Sequence, residues 1–180
     1  MTMAWMRQSV PGLQALPRGD RIAITTFFWL WSFFEGNNLN EHGNIEAIRQ
    51  LVHRWEQNGQ LDAGPFARSI AYFRDRYFRN GIETEHFDHL HIARHGPDIE
   101  VLVREVLSGQ NDNDRDKMEV LLIVLYRLRN NLFHGPKWQY LLADQRQNFL
   151  HANRVLVRAM ELDGRGLDEE RGRPRHAARQ

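Results

Sequence analysis

The stretch that decides the fold is NDNDRDKMEVLLIVLYRLRNNLFHGPKW, residues 111–138. Its apolar residues recur at steps of three and four, which is the spacing of one face of an α-helix. They are Met118, Leu121, Leu122, Leu125, Leu128 and Leu132. Three more aliphatic residues, on other faces, are Val120, Ile123 and Val124. A helix that is apolar nearly all round is a buried one, so we predict a central helix that packs against its own domain and a second molecule.

The two ends of this stretch differ from its middle. Asp112 or Asp114 can cap the start of the helix, and Gly135-Pro136 supplies a stop. The last turns carry Arg129, Asn130 and His134 in place of further leucines. A helix C-terminus favours a protonated imidazole, which is useful for a proton donor at neutral pH. This polar end is the main functional clue in the sequence.

The spacing of Arg129 and His134 carries little information by itself. The pattern Arg-x4-His occurs three times, in Arg129/His134, Arg146/His151 and Arg171/His176. The last pair falls in a segment predicted to be disordered. The middle pair falls within a helix, about 140° apart around its axis, and we expect His151 on the surface of that helix. His134 instead shares a helix face with Asn130 in a terminal turn, and this context distinguishes the first pair.

Composition excludes several classes of protein. The formal net charge is +1, so any nucleic-acid site must be a local feature. The absence of cysteine excludes disulfides, thiolate metal sites and thiol nucleophiles. The most apolar early segment, residues 22–34, is too short to span a bilayer. We therefore expect a soluble, cytoplasmic protein with no membrane association.

The pattern of apolar residues in the rest of the chain predicts helices separated by short turns. Residues 1–19 form an irregular N-terminal arm, residues 20–162 form one helical domain, and residues 163–180, rich in Gly, Arg and Glu, form a disordered tail. Besides the central helix, which starts after Asp112 or Asp114 and stops at Gly135-Pro136, helices are predicted at residues 21–35, 44–57, 66–79, 98–107 and 139–162. The fold is therefore predicted to be all-α, a bundle of five to six helices.

Two further clusters have simple structural explanations. The aromatic run at residues 27–34 is interpreted as core packing in the first helix and not as a base-stacking platform. Residues 81–97 hold four histidines, His86, His89, His91 and His95. Their spacing permits zinc, but no helical or strand register places all four on one face. We therefore predict a solvated, mobile loop and no metal site.

The segment from Arg129 to Gly135, RNNLFHG, at the end of a long apolar helix resembles the signature of the HEPN superfamily (higher eukaryotes and prokaryotes nucleotide-binding). The likeness is close over residues 119–162 and looser over residues 20–107, where Glu35 near the end of the first helix is similar. The resemblance implies an all-α bundle that dimerises through the motif helix. Many members are metal-independent ribonucleases of toxin–antitoxin and antiviral systems. Some members carry a tyrosine two residues after the histidine, where this chain has Pro136.

Carried over by position, the resemblance makes Arg129 and His134 catalytic, with Asn130 as their polar companion. Asn131, Lys137 and Glu35 are weaker candidates for contacts with the substrate. RNA contains its own nucleophile, the 2′-hydroxyl, so a histidine and an arginine suffice for cleavage to a cyclic phosphate without metal or cofactor. The expected partners are RNA, a second copy of the chain and possible antitoxin or partner proteins.

Two other interpretations stay open. In the first, the protein is a catalytically silent HEPN-like dimer that binds a nucleotide or a partner protein. In the second, it is a plain helical adaptor whose arginines only solvate the surface. In a purely structural role, Arg129 and His134 would bind carbonyls of their own helix or the Glu35 carboxylate.

Overall fold

The computed structural model describes residue 5, residues 16–134 and residues 144–164, without the side chains of residues 133 and 134. Within these residues the chain is almost entirely helical, which confirms the predicted all-α bundle. The α-helices are α1 (Arg18–Asn38), α2 (Ile45–Gln57), α3 (Ala67–Tyr77), α4 (Glu85–Asp88), α5 (Pro97–Ser108), α6 (Asp114–His134) and α7 (Arg146–Leu162). The strands are β1 (Phe78–Arg79) and β2 (Ile82–Glu83), and single 3-10 turns lie at Gly64–Phe66 and Ile92–His95.

Helix α6 lies at the centre of the bundle. Every residue from 118 to 125 is buried, so helices of the same chain surround this part of α6 on all sides. Its principal neighbours are α2 and α5. The one carboxylate in this buried run, Glu119, accepts a hydrogen bond from Nε of Arg49 on α2 at 2.7 Å. The apolar character of α6 is therefore accounted for within one chain.

The start of α6 is capped by Asn113, not by the aspartates that the sequence suggested. The Asn113 Oδ1 atom accepts from the backbone N–H groups of Arg115 at 2.9 Å and Asp116 at 3.3 Å. Asp112 instead pairs with Arg74 at 3.0 Å. An asparagine satisfies the free N–H groups of a first helical turn as well as an aspartate does.

Helix α1 is longer than predicted, and only one of its faces is buried. Phe27, Trp31 and Phe34 pack inward, mainly against α7. Phe28, Trp29 and Phe33 are 39%, 59% and 57% exposed, so the interpretation of the whole aromatic run as core packing is wrong for these three rings. Residues at steps of four and seven share a helix face, so the aromatic residues of a single run divide between core and solvent.

The last helix begins at Arg146, and the predicted residues 139–143 lie outside the described part of the structure. Asp163, which the sequence assigned to the tail, belongs to the folded domain. Its carboxylate accepts hydrogen bonds from Asn38 Nδ2 at 2.9 Å and from Trp55 Nε1 at 3.1 Å. These contacts join the ends of α1, α2 and α7. Residues 1–15 of the N-terminal arm, apart from residue 5, and residues 165–180 lie outside the described part of the structure.

The segment after α3 differs from the sequence prediction. Helix α3 ends at Tyr77, and β1 and β2 form a short antiparallel hairpin in which Phe78 faces Glu83. Asn80 and Gly81 make the turn with φ values of 53° and 77°. The histidine-rich segment that follows is ordered: Phe87, Leu90 and Ile92 are all buried. The prediction of a mobile loop is wrong because these three apolar side chains fix the segment to the core.

Candidate functional site

The Arg129 side chain lies near the end of α6 and contacts the end of α1. Its Nη2 atom is 3.6 Å from Oε2 of Glu35, and its Nη1 donates to Oδ1 of Asn130 at 3.0 Å. About a quarter of the Arg129 side chain and a fifth of the Glu35 side chain are exposed. The structure thus brings together three of the residues singled out in the sequence, in a partly buried and partly solvent-accessible position.

Glu35 is fixed by two further hydrogen bonds. Its Oε2 accepts from Trp31 Nε1 at 2.7 Å, and its Oε1 accepts from the backbone N–H of Gly43 at 2.9 Å. A Cβ atom at Gly43 would overlap the carboxylate, so any larger residue there would displace the Glu35 side chain. Charge-assisted hydrogen bonds of this kind are among the stronger ones in proteins. Glu35 is therefore held in place beside Arg129, and the substrate contact predicted for it stays a prediction.

Asn131 lies on a different face of α6 from Arg129. Its Nδ2 donates to the backbone carbonyl of His89 at 2.7 Å, which ties the last turns of α6 to the histidine-rich segment. Two residues correspond to about 200° around a helix, so Arg129 and Asn131 diverge. His134 is the last residue of α6, but its side chain, like the whole of Lys137, lies outside the described residues.

A buried arginine that the sequence analysis did not select lies one half-turn before Arg129. Arg127 Nε donates to the backbone carbonyl of Leu90 at 2.6 Å, and its Nη1 lies 2.9 Å from Nε2 of His95. Since arginine only donates, His95 accepts there as a neutral imidazole. Burial, followed by the charge of Arg127, lowers the pKa of His95. Arg127 and His95 therefore anchor the histidine-rich segment to α6, and sequence spacing gives no signal of this long-range pair.

His151 is not a surface residue, contrary to the prediction. It is 6% exposed, its Nδ1 lies 3.1 Å from the Ser69 hydroxyl, and its ring stacks on Tyr72 at 4.1 Å. Burial is the main reason that its pKa falls to about 4, and the charges of Arg154 and Arg68 add to the effect. His151 is therefore a neutral core histidine with a structural role. Its sequence partner Arg146 lies in the first turn of α7 and not in mid-helix.

The described residues contain neither a cluster of metal ligands nor a membrane-spanning helix. Within them, no group of three or more His, Asp or Glu side chains is arranged to hold a metal ion. The histidines of the 86–95 segment are dispersed between α4, its C-terminal end and the 3-10 turn. A search of the same residues for a helix with the length and hydropathy of a membrane span finds none.

Comparisons with models of known protein families, with curated proteins and with solved structures gave no match.

Proposed function

We propose that the protein is a metal-independent endoribonuclease of HEPN type. The observation that supports this most is the position of Arg129: its guanidinium is oriented by Glu35 and Asn130 at the C-terminal end of the central helix, five residues before His134. An arginine fixed in this way while a quarter of its side chain remains exposed can bind a phosphate without first being ordered. The HEPN-like segment contributes the histidine that such a site needs.

The proposed reaction uses groups that RNA and these residues supply. The 2′-oxygen attacks the adjacent phosphorus and loses its proton, the bond to the 5′-oxygen breaks, and that oxygen gains a proton. His134 transfers protons, and its place at a helix C-terminus favours the imidazolium form. Arg129 stabilises the charge that grows on the phosphoryl oxygens. The products are a 2′,3′-cyclic phosphate and a 5′-hydroxyl, and the cellular context would be a toxin–antitoxin or antiviral system.

One observation favours the silent alternative, a HEPN-like dimer that binds a nucleotide or a partner protein. The guanidinium of Arg129 already has a carboxylate within 3.6 Å. Such a pair has a purely structural explanation, because Glu35 also links α1 to the turn at Gly43. In the enzyme, Glu35 would instead act as the group that positions Arg129 for the phosphate.

The test is to incubate the purified protein with total RNA in the presence of a chelator. We expect discrete fragments with cyclic-phosphate ends, and no cleavage of an all-deoxy substrate. Loss of activity in the chelator, with recovery on adding zinc or manganese, would contradict the metal-independent mechanism. No cleavage by the folded wild-type protein would favour the silent alternative.

The residue assignment needs matched variants. His134→Ala and Arg129→Ala should each lower cleavage by a factor on the order of 10² or more, which is the usual scale for loss of an acid–base or phosphate-binding group. His151 is buried and therefore cannot serve as the control histidine. His53→Ala is the better control, since His53 is largely exposed and lies beside Glu56 on α2. Equal cleavage by the His134 and His53 variants would exclude a catalytic role for His134.

A further inference from the structure

A small cavity with a mixed lining, more apolar than polar, lies between α3, α4, α6 and α7, on the Asn131 side of the central helix. Its volume is about 50 Å³, and its lining includes Arg76, His86, His89, Asn131 and Asn148. A water needs roughly 10–15 Å³ of such volume, so the cavity has room for about three to five waters. That is the size of a phosphoryl group and is too small for a nucleobase.

Among the described residues that line this cavity, Arg76 is the only arginine or lysine. The side chain is 10% exposed. Its Nη1 and Nη2 atoms bind Asp144 Oδ2 at 3.2 Å and the Asp144 carbonyl at 3.3 Å. Among the described residues, its buried Nε–H has no hydrogen-bond acceptor. A buried guanidinium with an unused donor is costly unless a further acceptor binds it.

Asp144 is a weak partner for an arginine that is so deeply buried. Its side chain is 78% exposed, and its backbone adopts a left-handed conformation with φ of 61°. Ion pairs with one partner in solvent contribute little to stability, typically 0–1 kcal/mol. An anion that enters the cavity can therefore replace the Asp144 carboxylate on Arg76 at small cost.

The other polar groups of the lining are suited to an anion. His86 and His89 each offer an imidazole N–H even when neutral. The amides of Asn131 and Asn148 already donate to the His89 carbonyl and to Gln145 Oε1, so the imidazoles are the more available donors. Among the described residues that line the cavity, none carries a carboxylate. Burial, and then the charge of Arg76, lowers the pKa of His86, while the carboxylates of Glu85 and Asp144 act in the opposite direction. The imidazole donors, the Arg76 guanidinium and the size of the cavity all suit the same ligand.

We infer that this cavity binds a phosphoryl group, with Arg76, His86 and His89 as its donors and Asp144 as a competitor for Arg76. The inference concerns a second anion site and requires neither Arg129 nor His134, so it stands or falls apart from RNA cleavage. If the protein does cleave RNA, the cavity would hold a phosphate of the substrate other than the one that reacts.

The test is to titrate the full-length protein with inorganic phosphate and to follow the imidazole NMR signals of its histidines. The signals of His86 and His89 should shift, and the pKa of His86 should rise as an anion binds beside it. The exposed His53 should not respond. No shift at His86 or His89 up to tens of millimolar phosphate would overturn the inference.

Two substitutions of Arg76 and its competitor sharpen this test. Asp144→Asn removes an exposed charge and should tighten phosphate binding roughly two- to fivefold, the factor that corresponds to an ion pair of this exposure. Arg76→Gln should abolish binding, with circular dichroism as the check on folding. Binding that neither substitution changes would place the anion elsewhere and refute the assignment. Weaker binding in Asp144→Asn would do the same.

The source of the phosphoryl group is distinguished by two further ligands. A 5′-mononucleotide that binds more tightly than inorganic phosphate would indicate a free nucleotide as the natural ligand. An all-deoxy oligonucleotide that competes with phosphate at His86 would indicate the backbone of a nucleic acid. Loss of the mononucleotide's or oligonucleotide's own effect on the His86 signal in Arg76→Gln supports the cavity as the site in either case.

Discussion

The contrast between His151 and an exposed histidine such as His53 shows how far context decides the role of a residue. We predict that His151→Ala lowers the free energy of unfolding by about 2–4 kcal/mol, because it leaves a cavity beside Tyr72 and removes the partner of the buried Ser69 hydroxyl. Urea unfolding monitored by circular dichroism measures this. A change below about 0.5 kcal/mol, the range of a surface substitution, would contradict the buried position.

The same histidine should make stability depend on pH. Its pKa is about 4 in the folded chain, against an ordinary value of 6.5. The unfolded chain therefore binds the proton first, so the stabilisation is complete above about pH 6.5 and is lost as the pH falls towards 4. The expected loss is about 2 kcal/mol between about pH 7 and about pH 5.

This pH dependence is measured by comparing denaturant midpoints of the wild type and His151→Gln. The pKa values of His86 and His95 are also lowered, so both proteins should lose some stability in acid. Only the difference between them reports His151. Parallel pH profiles would show that His151 is not the group responsible.

At the scale of single elements, the cap of α6 gives a direct test. Asn113→Ala should lower the free energy of unfolding by about 1 kcal/mol, because two backbone N–H groups lose their acceptor. For a chain of this size that corresponds to a fall of about 2–4 °C in Tm. Asp112→Ala is the matched control and should change Tm less, since the Asp112 carboxylate is largely exposed and its ion pairs are with Arg74 and Lys117. The reverse order would restore Asp112 as the cap.

The helices themselves could be predicted from periodicity, and the burial of α6 could be predicted from its apolar run. The sequence could not predict which aromatic residues of α1 face solvent, because their exposure depends on how α1 packs against α7. The relation of Arg129 to Glu35 was suggested only by a family likeness, as the two residues are 94 positions apart (129 − 35). The Arg76 cavity combines side chains from four separate elements, so no local pattern indicates it.

At the scale of the whole molecule, we predict a homodimer that is detectable by sedimentation at tens of micromolar. Because residues 118–125 of α6 are enclosed within their own chain, a contact through this helix can involve only its two ends. The outer face of α1 presents another apolar surface, formed by the exposed side chains of Ile22, Trp29 and Phe33. Glu35 lies on the same helix, so a two-fold contact there would bring two Arg129 sites towards each other.

The double variant Trp29→Gln/Phe33→Gln should therefore shift the dimer towards monomer. Ile82→Gln is the control, because Ile82 is also an exposed apolar residue but lies on the hairpin, away from α1. A wild-type protein that sediments as a monomer would refute the dimer. A dimer that survives the double variant would exclude this face of α1 as its interface.

The packing of α1 against α7 also sets the order of events during synthesis. Asn38 and Asp163 are 125 residues apart in the chain, yet they are hydrogen-bonded in the fold. At about 5–20 residues per second, the ribosome needs roughly 6–25 seconds to make the intervening chain. During that interval the aromatic rings of α1 have no C-terminal helix to cover them. The nascent chain must therefore pass through a stage of several seconds in which the aromatic residues of α1 are exposed. Chaperones that recognise aromatic-rich segments would bind α1 during this stage.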